Sequence, residues 1–248
     1  MDLREIKGLD NVRHPWETSR VRAVRSIFKD SLKPGAKALD IGCGDGFVSR
    51  ELFKGTAIKS VTAVDINLTK DAIKELSKRA QGITYLNRLP KEKDCYGIVL
   101  LLDVIEHVEG DRAFLKDIRA YLDKGGRMLV TAPAFNSLFS AHDRFLHHVR
   151  RYSLKELKSL AESSGLKCVS SGYLFTSLLL PRFISVISER LFKKAGVARG
   201  AGDWRAGQGL AKIVEMVLRA DNRVSLVANK MGLKLPGLTA WVLCERRQ

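Results

Sequence analysis

The stretch LDIGCGDGFVSREL, residues 39–52, places three glycines at alternate positions, Gly42, Gly44 and Gly46, directly behind an apolar run that carries an acid, Asp40. A chain that turns sharply from strand into helix, and leaves room for a ligand against its backbone, needs residues without a Cβ that tolerate positive φ. The pattern is not the G-x-G-x-x-G of dinucleotide enzymes, because Phe47 stands where the third glycine of that fingerprint would be. A second acid, Asp65, closes VTAVDIN and is followed by Ile66; two carboxylate oxygens at that place can accept from the two hydroxyls of a ribose. A third cluster, a candidate substrate site, lies in APAFNSLFSAHDRFLHHVRRYS, residues 132–153, with His142, Asp143 and His148 as candidates for catalysis and Arg150, Arg151 and Tyr152 for binding the substrate. His142 titrates in the range of a general base, and Asp143 or another acid would orient it; the same pair would serve equally to hold the loop by structural bonds. Arg150 and Arg151 suit a phosphate or carboxylate, or a solvated helix start. The His/Asp spacing is not that of a metal site, so no metal is expected.

These residues need elements to hold them. Apolar strand-like runs at 37–42, 60–65, 83–86, 96–102 and 127–132 alternate with amphipathic segments, the pattern of a parallel sheet covered by helices. Helices are expected from Gly46 through FVSRELF, over 69–80, and over 111–122, the last stopped by Lys124-Gly125-Gly126. Ser153 to Glu156 is a capping box opening a helix to about 164. LKCVSSGYL and the C-terminal TAWVLCERR read as sixth and seventh strands, and HPWETSRVRAVRSIFKDSL as a helix ahead of the first. On that helix Trp16 and Arg20 sit four apart, placed to close over a ligand, with plain core packing of Trp16 the other reading.

Four cysteines without CxxC spacing suggest neither a disulfide framework nor a zinc site, and a reducing setting fits. The N-terminus lacks the order of a secretory signal and no apolar run spans a bilayer, so a cytoplasmic protein, peripheral at most to the inner face of a membrane, is expected. The net charge is +16, and it is uneven: residues 144–248 hold 19 Lys and Arg against 7 Asp and Glu, the first 143 residues 24 against 20. Such a surplus attracts polyanions, whether nucleic acid or an anionic membrane face.

LDIGCGDG, AVDIN, DCYGIVLLLDVIEHV and DKGGRMLVTAPA together resemble, in order and spacing, the successive motifs of class I S-adenosylmethionine-dependent methyltransferases, over roughly residues 36–173 and the final strand. The resemblance implies an α/β, Rossmann-like, seven-stranded, doubly wound sheet with its last strand antiparallel, and S-adenosylmethionine as cofactor, released as S-adenosylhomocysteine. It implies that Asp40 faces the methionine part, that Gly42, Gly44 and Gly46 pass close by, that Asp65 with Ile66 holds the ribose, and that Leu86 and Asn87 flank the adenine. Leu102 and Asp103 would line the methionine side, with Arg20 pairing to its carboxylate and Trp16 above; His107 would be structural. A subgroup of these enzymes is similar further, through His14-Pro15-Trp16, Pro133 to Phe135, Ser140 to Asp143 and His148 to Tyr152, and it leans towards glycan or lipid-linked glycan acceptors.

The organisation that follows is an N-terminal helical cap at 1–35, a cofactor-binding core at 36–173, a helical insertion at 174–238 and a final core strand at 239–248. In the insertion, Leu178, Ile184, Ile187 and Leu191, and then Leu210, Ile213, Val214, Val217 and Leu218, recur at helical spacing among Arg and Lys, including Arg182, Arg190, Lys193, Lys194 and Arg205. Such helices pack as a lid or lie in a membrane interface. The leading function is therefore methylation of an oxygen on an amphiphilic, lipid-linked or anionic acceptor. RNA methylation stands beside it on the charge, although no RNA-binding module or N-P-P-Y motif is present, and a non-catalytic cofactor-binding partner at a membrane is the alternative of another class.

Overall fold

The computed structural model describes residues 13–29, 34–58, 60–192 and 207–247. One sheet holds β1 (Lys37–Ile41), β2 (Ser60–Val64), β3 (Ile83–Leu86), β4 (Tyr96–Leu102), β5 (Leu122–Pro133), β6 (Leu166–Leu174) and β7 (Thr239–Arg246), in the order β3-β2-β1-β4-β5-β7-β6. The first five run parallel, and β7 lies antiparallel between β5 and β6.

The continuous apolar character of β4 follows from cover on both faces, with Ile98, Val99, Leu100 and Leu101 all fully buried. Leu39, Val99 and Leu101 pack on one side against Leu115 and Ile118 of α4 (Asp111–Arg119). Ala38, Ile98 and Leu100 pack on the other against Val24 and Phe28 of α1 (Pro15–Phe28) and Leu52 of α2 (Phe47–Phe53). Each Val, Leu, Ile or Phe among them contributes about 1.5–3 kcal/mol. The strand order reverses between β1 and β4, so the crevice beyond their carboxyl ends is where an open sheet takes its ligand. Gly42, Asp65, Asn87, Asp103 and the segment after Pro133 all leave strands at that edge.

Two expectations change. The helix expected over 111–122 stops at Arg119, and Lys124-Gly125-Gly126 lies inside β5. Tyr96 pairs with Leu122 but Ile98 pairs with Arg127, so residues 123–126 bulge out, and a Cβ on Gly126 would sit 2.8 Å from the Tyr96 carbonyl oxygen. Glycine there serves a bulge, not a helix end. The segment read as a loop after β5 contains a short helix, α5 (Ala141–Phe145), opened by a Ser140/Asp143 capping box.

α3 (Lys70–Arg79) covers β3, and α6 (Leu154–Ser163) covers β6. The insertion supplies α7 (Leu179–Phe192) and α8 (Gln208–Lys230). α8 packs against α1 and β6, with Leu218 buried and Val214 half-buried, while Leu210, Ile213 and Val217 of its expected apolar stripe stay more than half exposed. Lys193, Lys194, Arg205 and most of the glycine-rich joint lie outside the described residues. No helix of the described residues is long and apolar enough to cross a membrane.

Candidate cofactor and acceptor site

The glycine loop is built by positive φ at Gly42, Gly44 and Gly46 (74°, 56° and 70°). The Gly42 N–H donates to the Val64 carbonyl at 2.7 Å, and any Cβ on Gly42 would strike Val104 Cγ2. A Cβ on Gly46 would come within 2.5 Å of the Tyr85 ring. Asp65 shapes the same loop: its Oδ2 accepts from Gly44 N–H at 3.0 Å and its Oδ1 from Asn67 N–H at 2.9 Å. A carboxylate has lone pairs beyond those two bonds, so a half-buried Asp65 remains able to accept from hydroxyls. Ile66 and Asn87 stand exposed beside it. This cradle, closed to any side chain at Gly42 and Gly46 and edged by an acceptor-only acid, fits a nucleoside with two free hydroxyls.

Asp40 is buried beneath the loop and accepts from the Ser49 hydroxyl. Burial pushes its carboxyl up to about 6 against the opposing Ser49 bond. At the end of β4, Leu102 is buried and Asp103 takes a left-handed conformation, φ 55°. Its Oδ2 meets Arg20 Nη1 at 2.9 Å, and its Oδ1 accepts from the Thr131 hydroxyl at 2.8 Å. Burial alone would raise the Asp103 carboxyl, but Arg20 and Thr131 outweigh it and hold it below its ordinary value. Arg20, expected at the methionine carboxylate, thus has protein partners in Asp103 and Thr131, while its buried Nε has none. The Trp16 ring lies 5.7 Å from that of Phe175, tilted by 34°, with the Arg20 guanidinium 5.0 Å from the indole. The H-x-W segment is a cap: His14 Nδ1 accepts from Trp16 N–H at 3.1 Å, and Glu17 reaches back to His14 N–H.

On the acceptor side, fully buried Asp143 is the hub. Its Oδ1 takes His148 Nδ1 at 2.9 Å and Arg151 Nε at 2.8 Å, and its Oδ2 takes Arg182 Nη2 at 3.0 Å. Burial would raise this carboxyl, but the His148 bond and the two guanidinium charges hold it well below the usual carboxylate range. An ionised Asp143 can only accept, so His148 carries its proton on Nδ1 and leaves Nε2 as the basic nitrogen. The acid that was to orient His142 therefore orients His148. His142 is half-buried, and burial followed by the nearby Arg182 lowers its basicity.

Three expected acceptor ligands have structural partners. Arg151 is 8% exposed and bridges Asp143 to the Ala134 carbonyl. Arg150 bonds to Asp111 and the Glu109 carbonyl, and the buried Tyr152 hydroxyl donates to Asp111 at 2.9 Å. Arg150 and Tyr152 thus fasten the post-β5 segment to Asp111 of α4, and Arg151 ties that segment to itself. Residues not expected at the site join it: Thr131, Ser49 and Glu106 from the core, and Arg182, expected only as part of the basic insertion. The side chain of Glu106 is fully buried with both oxygens unpartnered, and burial, then Asp103, raises it well above its ordinary value. Among the described residues, Glu106, His107 and His148 offer ligand atoms within 4.8 Å of one another. An apolar cavity of about 460 Å³ lies alongside, lined by Phe135, Ser137, Leu138, Thr176, Leu179, Leu180 and Phe183.

A family model described as a methyltransferase domain matches residues 13–171. The chain belongs to this methyltransferase-domain family. Its fold is that of class I S-adenosylmethionine-dependent methyltransferases. A ubiquinone biosynthesis O-methyltransferase of Parvibaculum lavamentivorans is 34% identical over 126 residues, 49% of this chain and 46% of that protein. One of the same name from Coxiella burnetii is 28% identical over 152 residues, 54% and 64% of the two chains. The match thus spans about half to two thirds of these curated relatives. Among solved structures, N-methyltransferase NodS of Bradyrhizobium japonicum, in complex with S-adenosylhomocysteine, covers 99% of this chain and 96% of its own at 15% identity and TM-score 0.57. A phosphoethanolamine N-methyltransferase of Haemonchus contortus, in complex with S-adenosylmethionine, covers 97% and 55% at 16% identity, with the same TM-score of 0.57. Both likenesses are of fold.

Proposed function

We propose that the protein transfers a methyl group from S-adenosylmethionine to an oxygen of an amphiphilic acceptor, lipid-linked or anionic and of glycan type, with His148 as the base that takes the hydroxyl proton. The observation that carries this reading is the Asp143–His148 hydrogen bond on the segment leaving β5 at the ligand edge of the sheet. When bound in the glycine loop, S-adenosylmethionine supplies a methyl group already activated by its sulfonium. Asp40, Gly42, Gly44, Gly46, Asp65, Ile66, Asn87, Leu102 and Asp103 form its cradle, with Trp16 and Arg20 closing one side. The remaining work of the chain is alignment, exclusion of water and removal of one proton. His148 suits that last step because Arg151 and Arg182 keep Asp143 ionised, and an ionised Asp143 stabilises the imidazolium that forms. Oxygen as the methylated atom is supported by the O-methyltransferase names of the curated relatives. An apolar part in the acceptor is supported by the cavity beside Phe135 and Phe183. An acceptor of this kind would be met at the inner face of a membrane, with the protein a peripheral partner there.

A second reading, methylation of RNA, is favoured by the charge of +16. The apolar lining of the cavity weighs against it. The test uses methyl-labelled S-adenosylmethionine with prenylated phenols, lipid-linked saccharides and RNA as acceptors. Label is expected in an amphiphilic hydroxyl compound, and His148→Ala should lower kcat by about 100-fold or more while calorimetric affinity for the cofactor is kept. His142→Ala should lower it far less. Full turnover by His148→Ala would remove the base, and label in RNA alone would put the second reading first.

A further inference from the structure

α7 has two unlike faces. Leu180, Phe183, Ile184, Ile187 and Leu191 are 65%, 50%, 58%, 38% and 72% exposed, and their spacing puts all five on one stripe. Val186 is the helix's buried residue, and its polar face turns to the segment after β5. There Arg182 Nη2 donates to Ser140 Oγ at 2.6 Å and to Asp143 Oδ2 at 3.0 Å. Glu189 Oε1 accepts from Ala141 N–H at 2.9 Å and Arg144 Nη2 at 3.0 Å, and Arg190 donates to the Ser137 carbonyl at 2.6 Å. α7 is thus tied by polar bonds to the residues that carry Asp143, and hardly at all by apolar packing.

We propose that the exposed stripe of α7 docks on the surface of a bilayer bearing anionic headgroups, and that the polar ties pass this docking to the Asp143–His148 pair. The proposal rests on the reading of an amphiphilic acceptor and names the element that meets the membrane. Three observations choose a bilayer as the occupant. The charge of the part of the chain that carries α7 has the complementary sign, since residues 144–248 hold 19 basic side chains against 7 acidic. The helix has 14 residues, about 21 Å at 1.5 Å per residue, which suits lying in an interface and falls short of the roughly 30 Å of a bilayer core. Leu180 and Phe183 belong both to the stripe and to the lining of the apolar cavity. A chain leaving the bilayer therefore reaches the cavity without crossing water. Burial of the stripe fixes α7, and through Arg182 and Glu189 it narrows the positions open to Ser140, Ala141 and Asp143.

The experiment is co-sedimentation of the full chain with phosphatidylcholine vesicles, with and without phosphatidylglycerol, in the absence of methyl donor and acceptor. Binding is expected to the anionic vesicles. The pair Ile184→Glu and Leu191→Glu, whose side chains line neither the cavity nor the cofactor cradle, should reduce the partition constant at least about ten-fold, since losing burial of two such side chains exceeds the 1.4 kcal/mol of a tenfold change. Cofactor affinity and thermal melting of the variant should match the wild type, which separates docking from misfolding. Hydrogen exchange of residues 137–146 should slow on vesicles in the wild type and not in the variant. Wild-type binding unaltered by the two substitutions, and abolished at about 1 M salt where screening falls to about 3 Å, would assign the association to charge alone and overturn the proposal. Absence of vesicle binding, with a dimer in solution that the substitutions dissociate, would give the stripe to a second copy and overturn it too. Because no methyl transfer is measured in these arms, an error in the acceptor assignment would appear separately, as inactivity towards amphiphilic hydroxyls in detergent.

Discussion

Asp40 is 2% exposed, and its carboxyl is pushed by burial from 3.8 up to about 6. Below pH 3.8 folded and unfolded chains are both protonated there; between 3.8 and about 6 the unfolded chain ionises first, so stability is lost as pH rises through that window. The loss approaches about 3 kcal/mol at 1.36 kcal/mol per pH unit. Asp40→Asn, which keeps an acceptor for Ser49, should match the wild type in urea titrations near pH 3.5 and exceed it above about pH 6.5; parallel pH profiles would rule this out. Asp65→Ala should weaken calorimetric binding of S-adenosylmethionine by about 1.5–3 kcal/mol, the worth of hydrogen bonds to a charged group, and unchanged affinity would remove Asp65 from the cradle. Both acids were legible in the sequence because each sits at a strand end beside the glycines it serves. Arg20 and Asp103 each stood out in the sequence, but not as each other's partner. The fold brings α1 over the end of β4, and nothing local in either segment records that approach. Likewise, the choice between His142 and His148 depends on which imidazole the turn after α5 swings onto Asp143.

At the scale of elements, the strands were readable because a doubly covered sheet demands unbroken apolar runs, as in YGIVLLL. Helix ends were less so, since a Gly-Gly pair signals a stop and a bulge with equal force, and only the pairing of Tyr96 with Leu122 decides for the bulge. Apolar spacing in α7 and α8 was readable as helix but not as burial, because periodicity records a face and not what meets it. The glycine loop allows a sharper test. Gly42→Ala puts a Cβ into Val104 Cγ2 at a φ of 74°, and the left-handed conformation alone costs an ordinary residue about 1–2 kcal/mol. The variant should melt lower by more than that strain accounts for. Adding Val104→Ala should recover the steric part and leave the backbone part, a non-additivity that a double-mutant cycle reads directly. Equal destabilisation with and without Val104→Ala would show that the contact carries no energy.

Across the whole molecule, α1 is the piece that joins the parts. Just ahead of its His14 cap, Arg13 pairs with Asp45 and lies 4.4 Å from the Phe47 ring at the glycine loop, and within the helix Arg20 holds the end of β4. On its outer side Ser19 donates to the Glu215 carbonyl of α8 at 3.2 Å, and Arg22 pairs with the Glu215 side chain. α3, by contrast, packs through Leu76 into an apolar cluster with Ala63, Tyr85 and Cys43 of the glycine loop, and among the described residues it makes no ion pair with that loop. A ligand that fixes the glycine loop and Asp103 should therefore restrain α1 and, through it, α8, while α3, joined to the loop by apolar contact without an ion pair, gains less. At a hundredfold excess over Kd, S-adenosylmethionine should add about 2.7 kcal/mol, raising Tm by roughly 5–10 °C for a chain of this size. In hydrogen exchange under native conditions, where local openings are read separately from global unfolding, residues 15–28 and 211–222 should slow more than residues 70–79. Equal slowing of α1 and α3 would mean that the ion pairs of α1 fasten it to the sheet without coupling it to the cofactor.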